Sequence, residues 1–228
     1  MKKTGLLVIA LGLAGAFVGA AQAHIGVEGR LTADSSTIVT FGVSHGCEGL
    51  DTVRVRIEMP ETVTSVRGLT SAWGEGTAET DGTGRIVAFI FEKETARAVD
   101  DQYYQFSLRV RAPAAPFTTL YFPVTQTCRN AEGVETVVEW DDVGAHDDPA
   151  VVSPAASAVI FPVRTMGWNR YVAPDLVHDL CVFVDARIVC VGTAAYSANV
   201  ETTALIESDP DVELLTEIHT DDEIWVLY

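Results

Sequence analysis

The chain has few basic residues: 15 Lys and Arg stand against 32 Asp and Glu, which gives a formal net charge of −17 over 228 residues. This deficit argues against nucleic acid and anionic membrane as partners, because both are bound through basic patches. Hydrophobic residues make up 48% of the chain and charged residues 21%, so a disordered or fibrous protein is also excluded. The sequence contains no phosphate-binding loop, no Gly-x-Ser-x-Gly and no His-Glu-x-x-His, and these absences exclude the enzyme classes that depend on those motifs.

Long apolar runs are equally scarce. The run from Leu6 to Ala20 follows the positive start Met1-Lys2-Lys3 and precedes Ala21-Gln22-Ala23. This order is typical of a secretory signal peptide with an A-x-A cleavage site, and the run is too short for a membrane span. We therefore predict a signal peptide over 1–23 and a mature chain that begins at His24, with no membrane span. Such a protein is periplasmic, or is secreted or held at the cell surface.

Cysteine is limited to four residues, and an exported chain is expected to pair them. Four cysteines allow three pairings, of which we favour Cys47–Cys128 and Cys181–Cys190. If Asp185-Ala186 forms a two-residue turn, Cys181 and Cys190 face each other across a hairpin, where side chains come closest.

Between Gly26 and Pro162 the hydrophobic pattern has a period of two. Strict alternation from Val53 to Met59 predicts a strand with one buried face. Further strands are predicted at 37–43, 86–91, 105–111, 120–124 and 134–140. Short strands at this spacing predict an all-β fold, an antiparallel β-sandwich of the cupredoxin or immunoglobulin kind, over 24–162.

The remaining residues, 163–228, predict a small α+β appendage. Asn199 is expected to cap a short helix that runs to Ser208, because Glu201 suits the first turn and Pro210 prevents continuation. Strands are expected at 188–191, 212–218 and 223–228. We expect this appendage to pack on the sandwich or to depend on its disulfide.

Cleavage before His24 would create a chelating pair of nitrogens. The new α-amino group and the Nδ1 atom of His24 can close a small ring on one metal ion, and two nitrogen donors suit Cu(II). The amine has a reference pKa near 8, so it loses its proton easily at neutral pH. The alternative is a histidine that simply remains at a loose terminus.

Several motifs resemble the YcnI-like copper-binding domain family. They are His24-Ile-Gly-Val-Glu, Ser44-His45-Gly46-Cys47-Glu48-Gly49, the segment from Thr119 to Cys128, and Val138-Glu139-Trp140. Together they cover His24 to Pro162 in order. The resemblance implies an exported β-sandwich that binds Cu(II) through its first histidine, serves copper trafficking or homeostasis, and is not an enzyme. It implies the copper ion as ligand and other periplasmic copper-handling proteins as partners.

The same resemblance assigns individual residues. His24 matches the histidine of the metal site, Trp140 matches a tryptophan beside the metal, and Cys47 and Cys128 match the cysteines of the histidine-glycine-cysteine subgroup. The family's usual Pro-Gly-Trp is here Ser71-Ala72-Trp73, and no carboxylate stands shortly before Trp73. The third ligand is therefore open among Glu75, the imidazole of His45 and Glu28.

Two other functions are weighed against copper binding. A copper-dependent oxygenase would need a second histidine, and the remaining candidates His45, His146, His178 and His219 stand in no oxygenase-like context. A surface interaction module whose metal site has decayed would explain the missing carboxylate. We predict the copper-binding, non-catalytic protein.

Overall fold

The structure is a computed structural model that describes residues 24–144 and 150–228. The predicted signal peptide, 1–23, and His146 lie outside the described residues. No helix among the described residues is long and apolar enough to cross a membrane.

The fold is all-β with one short α-helix. The described strands are β1 (Ile25–Glu28), β2 (Leu31–Thr32), β3 (Ser36–Val43), β4 (Asp51–Glu58), β5 (Thr64–Gly68), β6 (Thr77–Thr80), β7 (Ile86–Glu92), β8 (Tyr104–Arg111), β9 (Thr119–Phe122), β10 (Val124–Arg129), β11 (Glu135–Trp140), β12 (Ala156–Phe161), β13 (Trp168–Val172), β14 (Ile188–Val191), β15 (Ala194–Tyr196), β16 (Glu213–Leu214) and β17 (Glu223–Leu227). Helix α1 spans Val200–Ser208, and short 3-10 helices span Cys47–Gly49 and Leu180–Phe183.

Two antiparallel sheets form the sandwich. One has the strand order β1-β3-β8-β5 and the other has the order β11-β10-β4-β7-β6. Strands β1 and β11 thus lie at one lateral edge of the sandwich, and β5 and β6 lie at the opposite edge. The predicted antiparallel β-sandwich is confirmed.

The alternating sequence explains why the sheets pack face to face. In β4, Val53, Val55 and Ile57 are buried, whereas Arg54 and Arg56 between them are half-buried. Since side chains alternate along a strand, one face of β4 enters the core and the other meets water. Phenylalanines fill the space between the sheets, among them Phe41, Phe91, Phe106 and Phe122.

A third, three-stranded sheet has the order β2-β12-β9 and includes a parallel pair of β12 with β2. The sequence pattern missed β12, together with β1, β2, β5, β6, β10, β13 and β15. These strands are short or rich in Ala, Gly and Thr, so their hydrophobic periodicity is weak.

The C-terminal region, residues 163–228, forms its own five-stranded sheet in the order β13-β17-β14-β15-β16. Helix α1 has the predicted bounds, and the side chain of Asn199 accepts a hydrogen bond from the Thr202 N–H as its N-cap. The second hydrophobic core lies here and takes in Phe117, with Val159 and Phe161 packed against it, all from the sandwich portion of the chain.

The predicted hairpin around Asp185-Ala186 is wrong. Leu180–Phe183 is a 3-10 helix, and Cys190 in β14 pairs with Ala195 and Trp225 instead. Cys181 and Cys190 are therefore separate thiols, and the predicted Cys181–Cys190 bridge is not formed. The reason is geometric: a residue in a helical turn cannot occupy a cross-strand position opposite β14.

Candidate metal centre

His24 directly precedes β1, the edge strand of its sheet. Ile25 pairs with Val43 of β3, and the pairing continues to Glu28 opposite Thr40. His24 itself is exposed. Its ring lies edge-on to the indole of Trp140, with 6.3 Å between ring centroids and 66° between ring planes. The two residues that the resemblance places at one metal site are thus neighbours at the edge where β1 and β11 meet.

Trp140 ends β11 and is held in place by a buried glutamine. Its indole Nε1 donates to Oε1 of Gln126 at 3.0 Å. Nε2 of Gln126 donates to the backbone carbonyl of His45 at 2.9 Å and to Oγ1 of Thr52 at 2.8 Å. Gln126 therefore fixes the tryptophan and the His45 backbone together.

Sequence reasoning missed Gln126. The available signal was its place on β10 between Val124 and Cys128, which puts a polar residue on the buried face of a strand. A buried amide in such a position needs hydrogen-bond partners, and Trp140 and His45 supply them.

The predicted Cys47–Cys128 disulfide is confirmed and closes the same end of the sandwich. Gly46 precedes it, and its N–H donates to Oδ2 of Asp100 at 2.5 Å. A Cβ atom at Gly46 would lie 1.5 Å from the Leu50 carbonyl oxygen. Glycine is therefore required between His45 and Cys47 because any side chain would collide with the backbone there.

A buried ion pair lies near this end and was also missed. Asp51 is 1% exposed, and its carboxylate accepts hydrogen bonds from Lys93 Nζ and from the Tyr104 hydroxyl, both at 2.7 Å. Burial raises the pKa of Asp51, but the hydrogen bonds from Lys93, the Arg97 N–H and Tyr104, with the Lys93 charge, outweigh burial and lower it. For Tyr104, burial and the adjacent Asp51 raise the pKa well above its usual range.

Trp73 lies beside this ion pair. Its ring contacts Tyr104 and Phe106 edge-on, with centroid distances of 4.8 and 4.7 Å, and Lys93 Nζ lies 5.0 Å from its centroid. Trp73 is thus occupied by packing and a cation–π contact.

None of the predicted third ligands forms a group of three metal-binding side chains with His24 among the described residues. Glu75, His45 and Glu28 are all exposed. Across residues 24–144 and 150–228, no three His, Cys, Asp or Glu side chains are grouped as a metal site. The structure brings together His24 and Trp140, and it leaves Glu75 and His45 outside any such group.

These features define a class of protein: an antiparallel β-sandwich in which a histidine at the start of an edge strand faces a tryptophan of the opposite sheet, with a disulfide at the same end. The chain belongs to the family described as "Domain of unknown function (DUF1775)", which matches residues 24–160. The YcnI-like family is this family. The resemblance found in the sequence is thereby confirmed at the level of the family.

The chain is similar to several solved structures, among them the following two. An uncharacterized protein from Nocardia farcinica, described as having an immunoglobulin-like fold, shares 20% identity over 60% of this chain and 97% of its own, with a TM-score of 0.49. The major pilin subunit BcpA of Bacillus cereus, in a D312A variant, shares 8% identity over 66% of this chain and 42% of its own, with a TM-score of 0.34. Both scores are too low to support any argument about function. No curated protein matches the chain.

Proposed function

We propose that this chain is an exported protein that binds Cu(II) through His24, once the residues before it have been removed, and handles the ion as cargo without catalysing a reaction. The observation that carries the proposal is the pairing of His24 with Trp140 at the edge of the sandwich. Membership of the YcnI-like family supports the same assignment.

The donor chemistry fits copper. A histidine with a free α-amino group offers two nitrogens in one chelate ring, and nitrogen donors suit Cu(II) above the other divalent ions of its series. The backbone after His24 is held in register by β3 from Ile25 onward. Little conformational freedom is therefore left to lose when the ion binds, and this favours affinity.

Trp140 would serve as an apolar wall. Its indole N–H is occupied by Gln126, so the ring presents carbon atoms toward His24. An apolar shell beside a metal limits the access of water and tunes the ligands.

Among the candidate third ligands, His45 is favoured by the strand register. Ile25 stands opposite Val43, so one step further His24 reaches the level of Ser44, with His45 next along the chain. Glu28 is four positions along β1, roughly 13 Å away at the strand rise of about 3.3 Å per residue.

The decisive experiment compares two proteins, one beginning at His24 and one with a single alanine before it. Both keep every side chain, but only the first has the α-amino nitrogen in the chelate. We expect the extended protein to bind Cu(II) at least about tenfold more weakly, about 1.4 kcal/mol, and to show one nitrogen ligand fewer by electron paramagnetic resonance. The loss should grow as pH falls, because protons compete for amine and imidazole.

Matched controls make the result specific. His219→Ala removes an imidazole from the C-terminal region and should leave the affinity unchanged, whereas His45→Ala should weaken it if His45 is the third ligand. Equal affinity in the processed and extended proteins would refute the proposal. Copper-loaded protein that consumes oxygen in the presence of a reductant, beyond free copper, would favour the oxygenase function instead.

A further inference from the structure

A groove of about 590 Å³ lies at the opposite edge of the sandwich from His24, where β5 faces the start of β7. Three arginines line it, Arg67, Arg85 and Arg109, and Glu61 is the acidic residue of its lining. This concentration of positive charge is unexpected in a chain with 32 acidic and 15 basic residues.

Arg67 and Arg109 stand directly opposite each other on β5 and β8. Like charges in such cross-strand pairs destabilise a sheet. Within the described part of the chain, neither guanidinium has a hydrogen bond or an ion pair. Arg111, two residues further along β8, does have a partner, since it pairs with Asp34 at 2.7 Å.

A bulge in β5 places the two arginines opposite each other. Thr64 pairs with Arg111 and Arg67 with Arg109, so β5 carries one extra residue in a bulge, and Ser65 within it has φ of 54°. With regular pairing Val66 would stand opposite Arg109. Bulges commonly re-aim a side chain near a functional site, and a positive φ in a residue other than glycine costs free energy.

Arg85 is fixed toward the same groove. Its Nη2 donates to the backbone carbonyls of Met59 and Pro60 at 3.0 and 2.9 Å. These two carbonyls are neutral, and a nearby opposite charge is the carboxylate of Asp81, which accepts a hydrogen bond from the Arg85 backbone N–H. The buried Nε of Arg85 has no hydrogen-bond partner among the described residues.

We propose that this groove, lined by Arg67, Arg85 and Arg109, binds a small molecule that carries phosphate or carboxylate groups. Planar guanidinium groups bind both kinds of oxyanion in bidentate fashion. The volume lies within the roughly 300–1,000 Å³ of small-molecule pockets, so the site suits a molecule larger than a bare ion. Glu61 can accept a hydrogen bond from a hydroxyl group of such a ligand.

The test is calorimetric titration of the full chain with pyrophosphate and, separately, with citrate. We expect at least one probe to bind with Kd below about 1 mM. Arg67→Gln and Arg109→Gln should each weaken that binding at least tenfold, about 1.4 kcal/mol. Preference for pyrophosphate identifies a phosphate ligand, and preference for citrate a carboxylate ligand. Arg187→Gln removes the same charge from an exposed position in the C-terminal region and should leave binding unchanged.

A second measurement separates binding from folding. Without ligand, Arg67→Gln should raise the melting temperature, because it relieves the repulsion with Arg109. Failure of both probes to bind the native chain, an equal loss in Arg187→Gln, or a lower melting temperature in ligand-free Arg67→Gln would each overturn the proposal.

Discussion

The two hydrophobic cores of the molecule are closed in different ways. The sandwich core lies between two complete sheets and has the Cys47–Cys128 disulfide at one end. The core of the C-terminal region has no disulfide, since Cys181 and Cys190 are separate thiols, and it takes in Phe117 from the sandwich portion instead. A region of this size is near the lower limit for an independent core. The difference shows that a small region can gain stability by sharing aromatic residues with a larger neighbour as well as by a covalent bond.

Phe117 is the clearest link between the two cores. It is 1% exposed, and its ring lies 5.4 Å from the rings of both Tyr171 and Phe183. Its φ of 68° is unfavourable for a bulky residue. The contacts with the C-terminal core therefore outweigh a local backbone cost.

The largest expected effect comes from breaking this link. Phe117→Ala should destabilise the C-terminal region by about 3 to 5 kcal/mol, because it leaves a cavity in a core. Chemical denaturation followed by tryptophan fluorescence measures this loss of stability. Trp73 and Trp140 are replaced, so that the signal comes from Trp168 and Trp225 in the C-terminal region. Phe117→Leu fills more of the space and should cost less. An unchanged C-terminal transition in Phe117→Ala would show that this core stands by itself.

Removal of the disulfide should be the next largest change. Cys47 and Cys128 are 81 positions apart, and closing a loop of this length contributes about 4 kcal/mol in the chain-entropy account. The Cys47→Ser/Cys128→Ser protein should lose this amount in the sandwich transition by denaturant unfolding. The matched Cys181→Ser/Cys190→Ser protein should change stability by less than about 0.5 kcal/mol. A larger loss in the second pair would mean that those thiols are bonded in the native protein.

Two acidic residues, one in the sandwich and one at the boundary with the C-terminal region, allow a further comparison, in which the expected changes in stability are smaller. Asp51 is buried in the sandwich, whereas Asp185 is exposed at the boundary, where it pairs with Arg30 and Arg164. Asp51→Asn should cost about 3 kcal/mol at neutral pH, because it leaves the Lys93 charge without its partner. Asp185→Asn should cost less than about 1 kcal/mol.

The pH dependence of Asp51 has a defined sign. Its pKa in the folded protein lies below the ordinary value of 3.8, so the stabilisation is fully present above that pH and is lost as pH falls toward the folded pKa. Denaturant unfolding between about pH 2 and 7 measures this loss. The Asp51→Asn protein should lose less stability in acid than the native chain; an equal acid loss would assign the sensitivity to other groups.

Local patterns allowed the best predictions from sequence. Strand β4 follows from strict alternation, and α1 follows from Asn199 and Pro210, because each signal acts within a few residues. The hairpin predicted around Cys181 was wrong because a short apolar stretch is compatible with a helical turn as well as with a strand. The proximity of His24 to Trp140 came from a family resemblance. Gln126 and Lys93 were missed because their roles depend on sheet register, which the sequence does not display.

Strands β1 and β5 are the two outer strands of one sheet. The proposed cation site at His24 and the proposed anion site at Arg67 therefore lie far apart. Three strand spacings of about 4.8 Å, together with the five-residue offset between Tyr104 and Arg109, put Arg67 about 22 Å from the start of β1. That distance is more than twice the Debye length of about 8 Å at physiological ionic strength. If both proposed ligands bind, a cation at His24 and an anion at Arg67 would be screened from each other, so neither would neutralise the other.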